Sequence, residues 1–220
     1  MLSPHSKTNK VATVEKPKLL IIAGPNGSGK TSVTDKILKH EWIAGCEYIN
    51  PDNIARDVFG DWNSPDAVMN AVRYAADIRE KCIAEERSLI FETVLSAPDK
   101  ISFVQQAKQQ GYFIRLFFIS TDDPRINASR IAHRVQMGGH DVPISKIISR
   151  YYKSITNCGL LASVVDRLYV YDNSVEDVFP QLLFRAVDGK LTKQYVSLHD
   201  WANVIFRAVS GEVNQDFSLP

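Results

Sequence analysis

Apolar residues run through this chain in two rhythms. Lys18–Ala23 is unbroken apolar sequence after its lysine, the signature of a strand covered on both faces. Glu47-Tyr48-Ile49, Ser88–Phe91, Phe113–Ile119 and Arg167–Tyr171 are four further strand-like runs. Between them the spacing becomes helical. Ser32–His40 is helix-compatible, Ala67, Val68, Ala71, Val72, Ala75, Ile78 and Ile83 recur at helical intervals within Ser64–Glu86, and Asp99–Gln109 continues to a stop at Gly111. Pro51 suits the first position of a helix that Asn50 caps. Asp122-Asp123-Pro124 opens another helix that ends at Gly138-Gly139. After it, Pro143 starts an amphipathic one with Ile144, Ile147, Ile148, Tyr151 and Ile155 on its buried side, closing near Gly159.

Buried strands alternating with helices predict an α/β fold, with a five-stranded, mostly parallel sheet flanked by helices. The helix pair near 124–159, joined across two glycines, has the form of a helical lid. Residues 1–17 are polar and lysine-dotted and read as a flexible leader, 18–175 as the domain, and 176–220 as a C-terminal appendage whose role the pattern does not specify. Within the appendage Val178–Phe184 reads as a helix interrupted at Pro180, Gly189 as a turn and Leu198–Val209 as a terminal helix.

Composition narrows the function classes. Of 220 residues 45% are apolar and 23% charged, which suits a folded domain. Twenty-six basic residues face 25 acidic ones for a formal charge of +1, so no electrostatic footprint for nucleic acid is present. No apolar run approaches the roughly 18–20 residues of a membrane span and no signal-peptide core opens the chain, so no membrane partner and a cytoplasmic location are expected. Cys46, Cys82 and Cys158 are odd in number and lack zinc spacing, as reduced thiols would be.

The chemistry gathers where the first strand breaks. Gly24-Pro25-Asn26-Gly27-Ser28-Gly29-Lys30-Thr31 fits G-x-x-x-x-G-K-[ST], a loop whose backbone N–H groups and following helix terminus cradle phosphates. Lys30 would reach the β- and γ-phosphates of ATP, and the Thr31 hydroxyl would ligate Mg²⁺. Ligands of an open parallel sheet collect beyond the carboxyl ends of its strands, where Asp52, Glu92 and Asp172-Asn173 stand. A kinase of a hydroxyl needs a carboxylate to take the acceptor's proton. Asp52 is the candidate, set against a plain helix-start aspartate that satisfies first-turn N–H groups. Glu92 either holds Mg²⁺ through water, binds the acceptor, or pairs with a cation as a loop carboxylate. Thr93 and Ser96 are acceptor donors or turn residues. Arg134, with Arg130 and Arg150, could bring charge to the transferring phosphoryl group, or could line a solvated helix face. His140 is a hinge-side polar residue or a ligand contact.

Three stretches, Gly24–Thr31, Ile49-Asn50-Pro51-Asp52-Asn53-Ile54-Ala55-Arg56 and Phe91-Glu92-Thr93-Val94-Leu95-Ser96, resemble the zeta toxin family of P-loop kinases. Arg134–Pro143 with Arg150-Tyr151, and Tyr171-Asp172-Asn173-Ser174, fit the same family in the same order, so the likeness spans about residues 18–175. It implies a small-kinase fold related to chloramphenicol phosphotransferase and ATP as donor. Family toxins phosphorylate an amino-sugar hydroxyl of UDP-N-acetylglucosamine, and an epsilon-type antitoxin restrains some of them. By this resemblance Asp52 is the catalytic base, Lys30 the phosphate lysine, Arg134 a phosphate-contacting arginine, and Glu92 a substrate-site acid accompanied by Thr93, His140 and Arg150. Asn173 falls on the nucleotide side. The family's second lid arginine is absent near His140, so His140 or Arg150 would have to substitute. Asn50-Pro51-Asp52 stands in place of the family's Asp-x-Asp, which bears on the acceptor pocket. The alternatives are a kinase of another small hydroxyl compound, such as an antibiotic or nucleoside, and a nucleotide-binding regulatory module without turnover.

Overall fold

The computed structural model describes residues 15–60, 64–138 and 141–211. Strands β1 (Lys18–Ala23), β2 (Glu47–Ile49), β3 (Leu89–Thr93), β4 (Phe113–Ser120) and β5 (Arg167–Asp172) fall on the five expected runs and pair in parallel in the order β2-β3-β1-β4-β5. β1 and β3 are apolar on both faces, as parallel strands between helical layers are, whereas β4 and β5 alternate buried with half-buried positions.

Two further strands correct the expected sheet from five to seven. β6 (Gln181–Val187) pairs antiparallel with β5, and β7 (Lys190–Gln194) antiparallel with β6. The helix expected over Val178–Phe184 is therefore mostly strand. Pro180 sits just ahead of β6 rather than inside a helix, and Leu183, Phe184 and Ala186 are buried in the core. Asp188 and Gly189, at φ 48° and 72°, make the two-residue hairpin turn that follows from an Asp-Gly pair between strands. The segment read as an appendage thus shares the sheet.

Prolines open four helices: α2 (Pro51–Asp57), α3 (Pro65–Ala84), α4 (Pro98–Gln109) and α5 (Pro124–Gln136), following α1 (Lys30–Ile37). Asn50, Ser64 and Asp123 accept first-turn N–H groups at α2, α3 and α5. α6 (Ile144–Leu161) and α7 (Asn203–Ser210) complete the set, the latter shorter than expected because a 3₁₀ turn, Asp200–Ala202, precedes it.

Helices α3, α4, α6 and α7 bury Ala75, Phe103, Tyr151 and Ile205 against one face of the sheet. On the other face α1 and the 3₁₀ turn Glu41–Ile43 pack around Leu20, Ile22, Val33, Ile90 and Ile119. β1 lies between β3 and β4, where the chain order reverses, so the loop leaving it opens into the crevice that such a reversal makes. No described helix is long and apolar enough to cross a membrane.

Candidate active site

The loop after β1 is threaded between neighbouring strand ends. A Cβ on Gly24 (φ 154°) would stand 2.0 Å from the Ile119 carbonyl oxygen, and one on Gly29 (φ 80°) would stand 2.1 Å from Asn173 Nδ2. Only glycine passes at both points. Asn173, at the end of β5, donates from Nδ2 to the Ser28 carbonyl at 2.8 Å, while its own N–H donates to the Ser120 carbonyl at 2.8 Å. Buried Asn127 of α5 donates to the Asn26 carbonyl at 2.6 Å. β5 and α5 therefore hold the loop from both sides. Ser28 Oγ is buried with no hydrogen-bond partner among the described residues, a polar atom that a bound group would satisfy.

Lys30 opens α1 behind Gly29. Its Nζ donates to the carbonyls of Gly24 at 2.9 Å and Pro25 at 3.1 Å. Burial pulls this ammonium below the usual lysine pKa, the carboxylates of Glu92 and then Asp52 act in the opposite sense, and Arg134 adds to the lowering. Four groups from α1, β3, α2 and α5 thus share one electrostatic neighbourhood. Thr31 follows with its side chain exposed.

Glu92 stands at the carboxyl end of β3. Its Oε1 accepts from the Tyr48 hydroxyl at 2.5 Å and from Thr34 Oγ1 at 2.9 Å, and Asn50 Nδ2 donates to the Tyr48 oxygen at 3.1 Å. Burial, then the bond to Glu92, raises the Tyr48 pKa. Asn50 Oδ1 meanwhile accepts the N–H groups of Asp52 at 2.9 Å and Asn53 at 3.4 Å. The cap left open for Asp52 therefore belongs to Asn50, and the Asp52 carboxylate stands exposed in the first turn of α2.

The remaining expected residues divide. Thr93 Oγ1 accepts from Leu95 N at 3.0 Å, in a turn that holds fully buried Leu95 at φ 59°. α6 grips that turn, with Ser154 Oγ donating to the Val94 carbonyl at 2.6 Å and Asn157 Nδ2 to the Leu95 carbonyl at 2.9 Å. Arg150, on the same helix, reaches Asn26 Oδ1 at 3.4 Å. Arg134 is exposed near the end of α5. Arg130 is committed elsewhere, to the Asn173 carbonyl at 2.8 Å and Glu176 at 3.8 Å. His140 lies outside the described residues.

Sequence reading missed Thr34, Tyr48, Asn127 and Trp201. The first two stand on α1 and β2 and serve Glu92 on β3, far along the chain, so nothing in local spacing marks them. Trp201 donates from Nε1 to Asp172 Oδ2 at 3.1 Å, and the same carboxylate accepts from Ser174 N and Oγ. This fixes the corner after β5, beside a pocket of about 340 Å³ lined by Asn173, Val175, Val178 and Phe179.

The profile of the Zeta toxin family matches residues 4–180. An uncharacterised protein of Haemophilus influenzae is 28% identical over 134 residues, which cover 61% of this chain and 92% of that relative. Among solved structures, the PezAT chromosomal toxin-antitoxin system of the human pathogen Streptococcus pneumoniae is similar at TM-score 0.60 and 16% identity, covering 94% of this chain and 84% of that one. The AvrRxo1-ORF1:-ORF2 structure with ATP is similar at TM-score 0.59 and 17% identity, covering 91% of this chain and 66% of that one. At these identities the likenesses show the fold.

Proposed function

We propose, since this chain belongs to the Zeta toxin family, that it is a kinase transferring the γ-phosphoryl group of ATP to a sugar hydroxyl of UDP-N-acetylglucosamine. The observation that carries the reading is the phosphate loop itself, leaving β1 at the chain reversal of the sheet with Lys30 behind it, where the charges of Glu92, Asp52 and Arg134 are near enough to act on that ammonium. The loop suits a nucleotide phosphate: it leads into the first turn of α1 at Lys30, and Ser28 Oγ is buried with no partner among the described residues. Gly24, Pro25, Asn26, Gly27, Ser28 and Gly29 line it, Lys30 and Thr31 close it, and Asn173 holds its shape. Thr31 would hold Mg²⁺, which would supply positive charge to the phosphates when bound.

Asp52 is the proposed general base. Its carboxylate is free of the capping task that Asn50 performs, so it can orient the acceptor hydroxyl and take its proton as the new O–P bond forms and ADP departs. One Glu92 oxygen is held by Tyr48 and Thr34, which leaves the other for an acceptor hydroxyl. Thr93, at the end of the strand that bears Glu92, would donate its hydroxyl proton on the acceptor side. Arg134 and Arg150 stabilise charge on the transferring group, with Arg150 in the role of a second lid arginine. The AvrRxo1 structure with ATP supports the choice of donor, and PezAT supports restraint by an antitoxin partner. Consumption of ATP and a nucleotide sugar assigns the activity to the cytoplasm.

The test incubates the protein with ATP, Mg²⁺ and UDP-N-acetylglucosamine and looks for a phosphorylated sugar nucleotide by mass spectrometry. Asp52→Asn is expected to lower turnover by about 10²–10⁴-fold while leaving ATP affinity nearly unchanged. ATP binding without any product would overturn the acceptor, and full turnover in the variant would overturn the base.

A further inference from the structure

The face of the sheet opposite α3, α4, α6 and α7 changes character from one half to the other. At β1 and β3 it is closed by α1 and the Glu41–Ile43 turn. From β4 to β7 the same face presents Arg115, Phe117, Arg167, Tyr169, Tyr171, Arg185 and Lys193, and the aromatics among them are only half-buried. Strand register sets Arg115 directly opposite Arg167 and Arg185 directly opposite Lys193. Like charges opposite one another destabilise a sheet, so two such pairs on one face are a cost that neighbouring rings and one distant carboxylate offset only in part.

Among the described residues, one distant carboxylate, one backbone carbonyl and neighbouring rings are what these cations meet. Arg167 has Asp188 at 3.9 Å, at the hairpin turn. Arg115 Nε and Arg185 Nε are buried without a hydrogen-bond partner among the described residues. The Arg115 guanidinium instead lies 3.7 Å from the centre of the Trp42 ring. Between α1 and β4–β5 runs a groove of about 310 Å³, floored by Leu20, Ile37, Trp42 and Phe117 and rimmed by Lys36 and Arg115. Parallel strands are ordinarily covered on both faces. A helix about 10 Å across spans two strands spaced at about 4.8 Å, the width of β4–β5.

We propose that this half of the sheet is the docking surface for an acidic amphipathic helix of a partner protein. Its apolar stripe would lie on Phe117, Tyr169 and Trp42 beside α1, and its carboxylates would meet Arg115, Arg167 and Arg185, where the guanidinium fork favours bidentate pairing. Nucleic acid suits the face less well. Phe117 and Tyr169 are stacked on each other, with centroids 4.7 Å apart and planes 9° from parallel, so the facing sides of both rings are already used. The chain's own first fourteen residues carry Lys7, Lys10 and no carboxylate, the wrong charge for the occupant. The surface is separate from the phosphate loop, and the proposal stands independently of the kinase reading.

The probe is a fluorescein-labelled peptide of about 18 residues, some five helical turns, built of Leu, Ala and Glu with Leu at i, i+3, i+4 and i+7. It is titrated into the full chain by fluorescence anisotropy. Saturable binding is expected that weakens as salt rises from about 0.05 to 0.3 M and falls at least about tenfold in R115E/R185E, with K153E on α6 unchanged. The double variant should fold, since each glutamate converts a like-charge pair into an opposite one and so offsets the lost stacking of Arg115 on Trp42, and its thermal midpoint should stay close to that of the native chain. No saturable binding, or equal binding of the peptide with Leu positions scrambled or with Lys for Glu, would overturn the acidic-helix assignment. So would undiminished affinity in R115E/R185E, or tighter binding of oligo(dT) than of the peptide. Tighter peptide binding by a full-length variant with Glu212 and Asp216 changed to Lys would assign the face to this chain's last residues instead.

Discussion

A desolvated ammonium costs folding free energy unless nearby anions offset it, and at Lys30, hydrogen-bonded to two carbonyls, the carboxylates of Glu92 and Asp52 offset it only in part. Its pKa lies below the ordinary 10.5 chiefly because burial penalises the charged form. Between the lowered value and 10.5 the unfolded chain binds more protons than the folded one, so stability rises with pH across that window; below it the whole penalty is present. Lys30→Met carries no such penalty. The variant should therefore gain most over the native chain near neutral pH, with the gap closing as the solution becomes alkaline. Urea unfolding at stepped pH measures this, and a gap independent of pH would mean that the ammonium is not desolvated. The loop Gly24–Thr31 was legible in sequence because phosphate chemistry dictates Gly24, Gly29, Lys30 and Thr31 within eight consecutive positions. The bond from Tyr48 to Glu92 was not, because it joins residues 44 positions apart on adjacent strands and depends on register.

Helices show the same division one level up. Pro51, Pro65, Pro98 and Pro124 each open one; the starts at Pro51 and Pro124 were read from the proline, which fixes φ and needs no N–H partner in a first turn, and those of α3 and α4 from helical spacing to within one residue. Pro180 carried the opposite meaning. It precedes β6, whose buried Leu183 and Phe184 are consecutive because of a register shift, so the period-two signal of a strand was broken. Asn50 is the element-scale residue with two functions, since its Oδ1 caps α2 and its Nδ2 holds the Tyr48 hydroxyl. Asn50→Ala should cost about 1 kcal/mol through the lost cap, read from the urea midpoint at constant m. Asn50→Asp keeps the cap but cannot donate to Tyr48. It should recover most of that stability, and equal losses in the two variants would show that the cap is not what Asn50 contributes.

At the scale of the whole molecule, the sequence divided the chain at about residue 175, while the structure continues one sheet through β7 and one core through α7. The division was drawn where helical and parallel-strand signals fade, yet an antiparallel hairpin with a polar outer strand is a weak pattern by nature. β7 is mostly exposed and lysine-bearing, which suits an edge that must not pair further and hides its strand character. What the segment contributes is apolar burial. Leu183, Phe184, Trp201, Ile205 and Val209 are each less than 8% exposed and pack into the cluster that includes Phe118, Tyr151 and Val170. At roughly 1.5–3 kcal/mol for each fully buried large side chain, their removal withdraws about 8–15 kcal/mol, as much as the whole net stability of a typical domain. It also strips the donor Trp201 Nε1 from buried Asp172, next to the asparagine that braces the phosphate loop. A chain ending at Ser174 should therefore show no cooperative thermal transition and should bind a hydrophobic dye, even though it retains every proposed catalytic residue. A cooperative melt within a few degrees of the full chain would mean that the domain does end near residue 175 and that the last two strands and helix only decorate it.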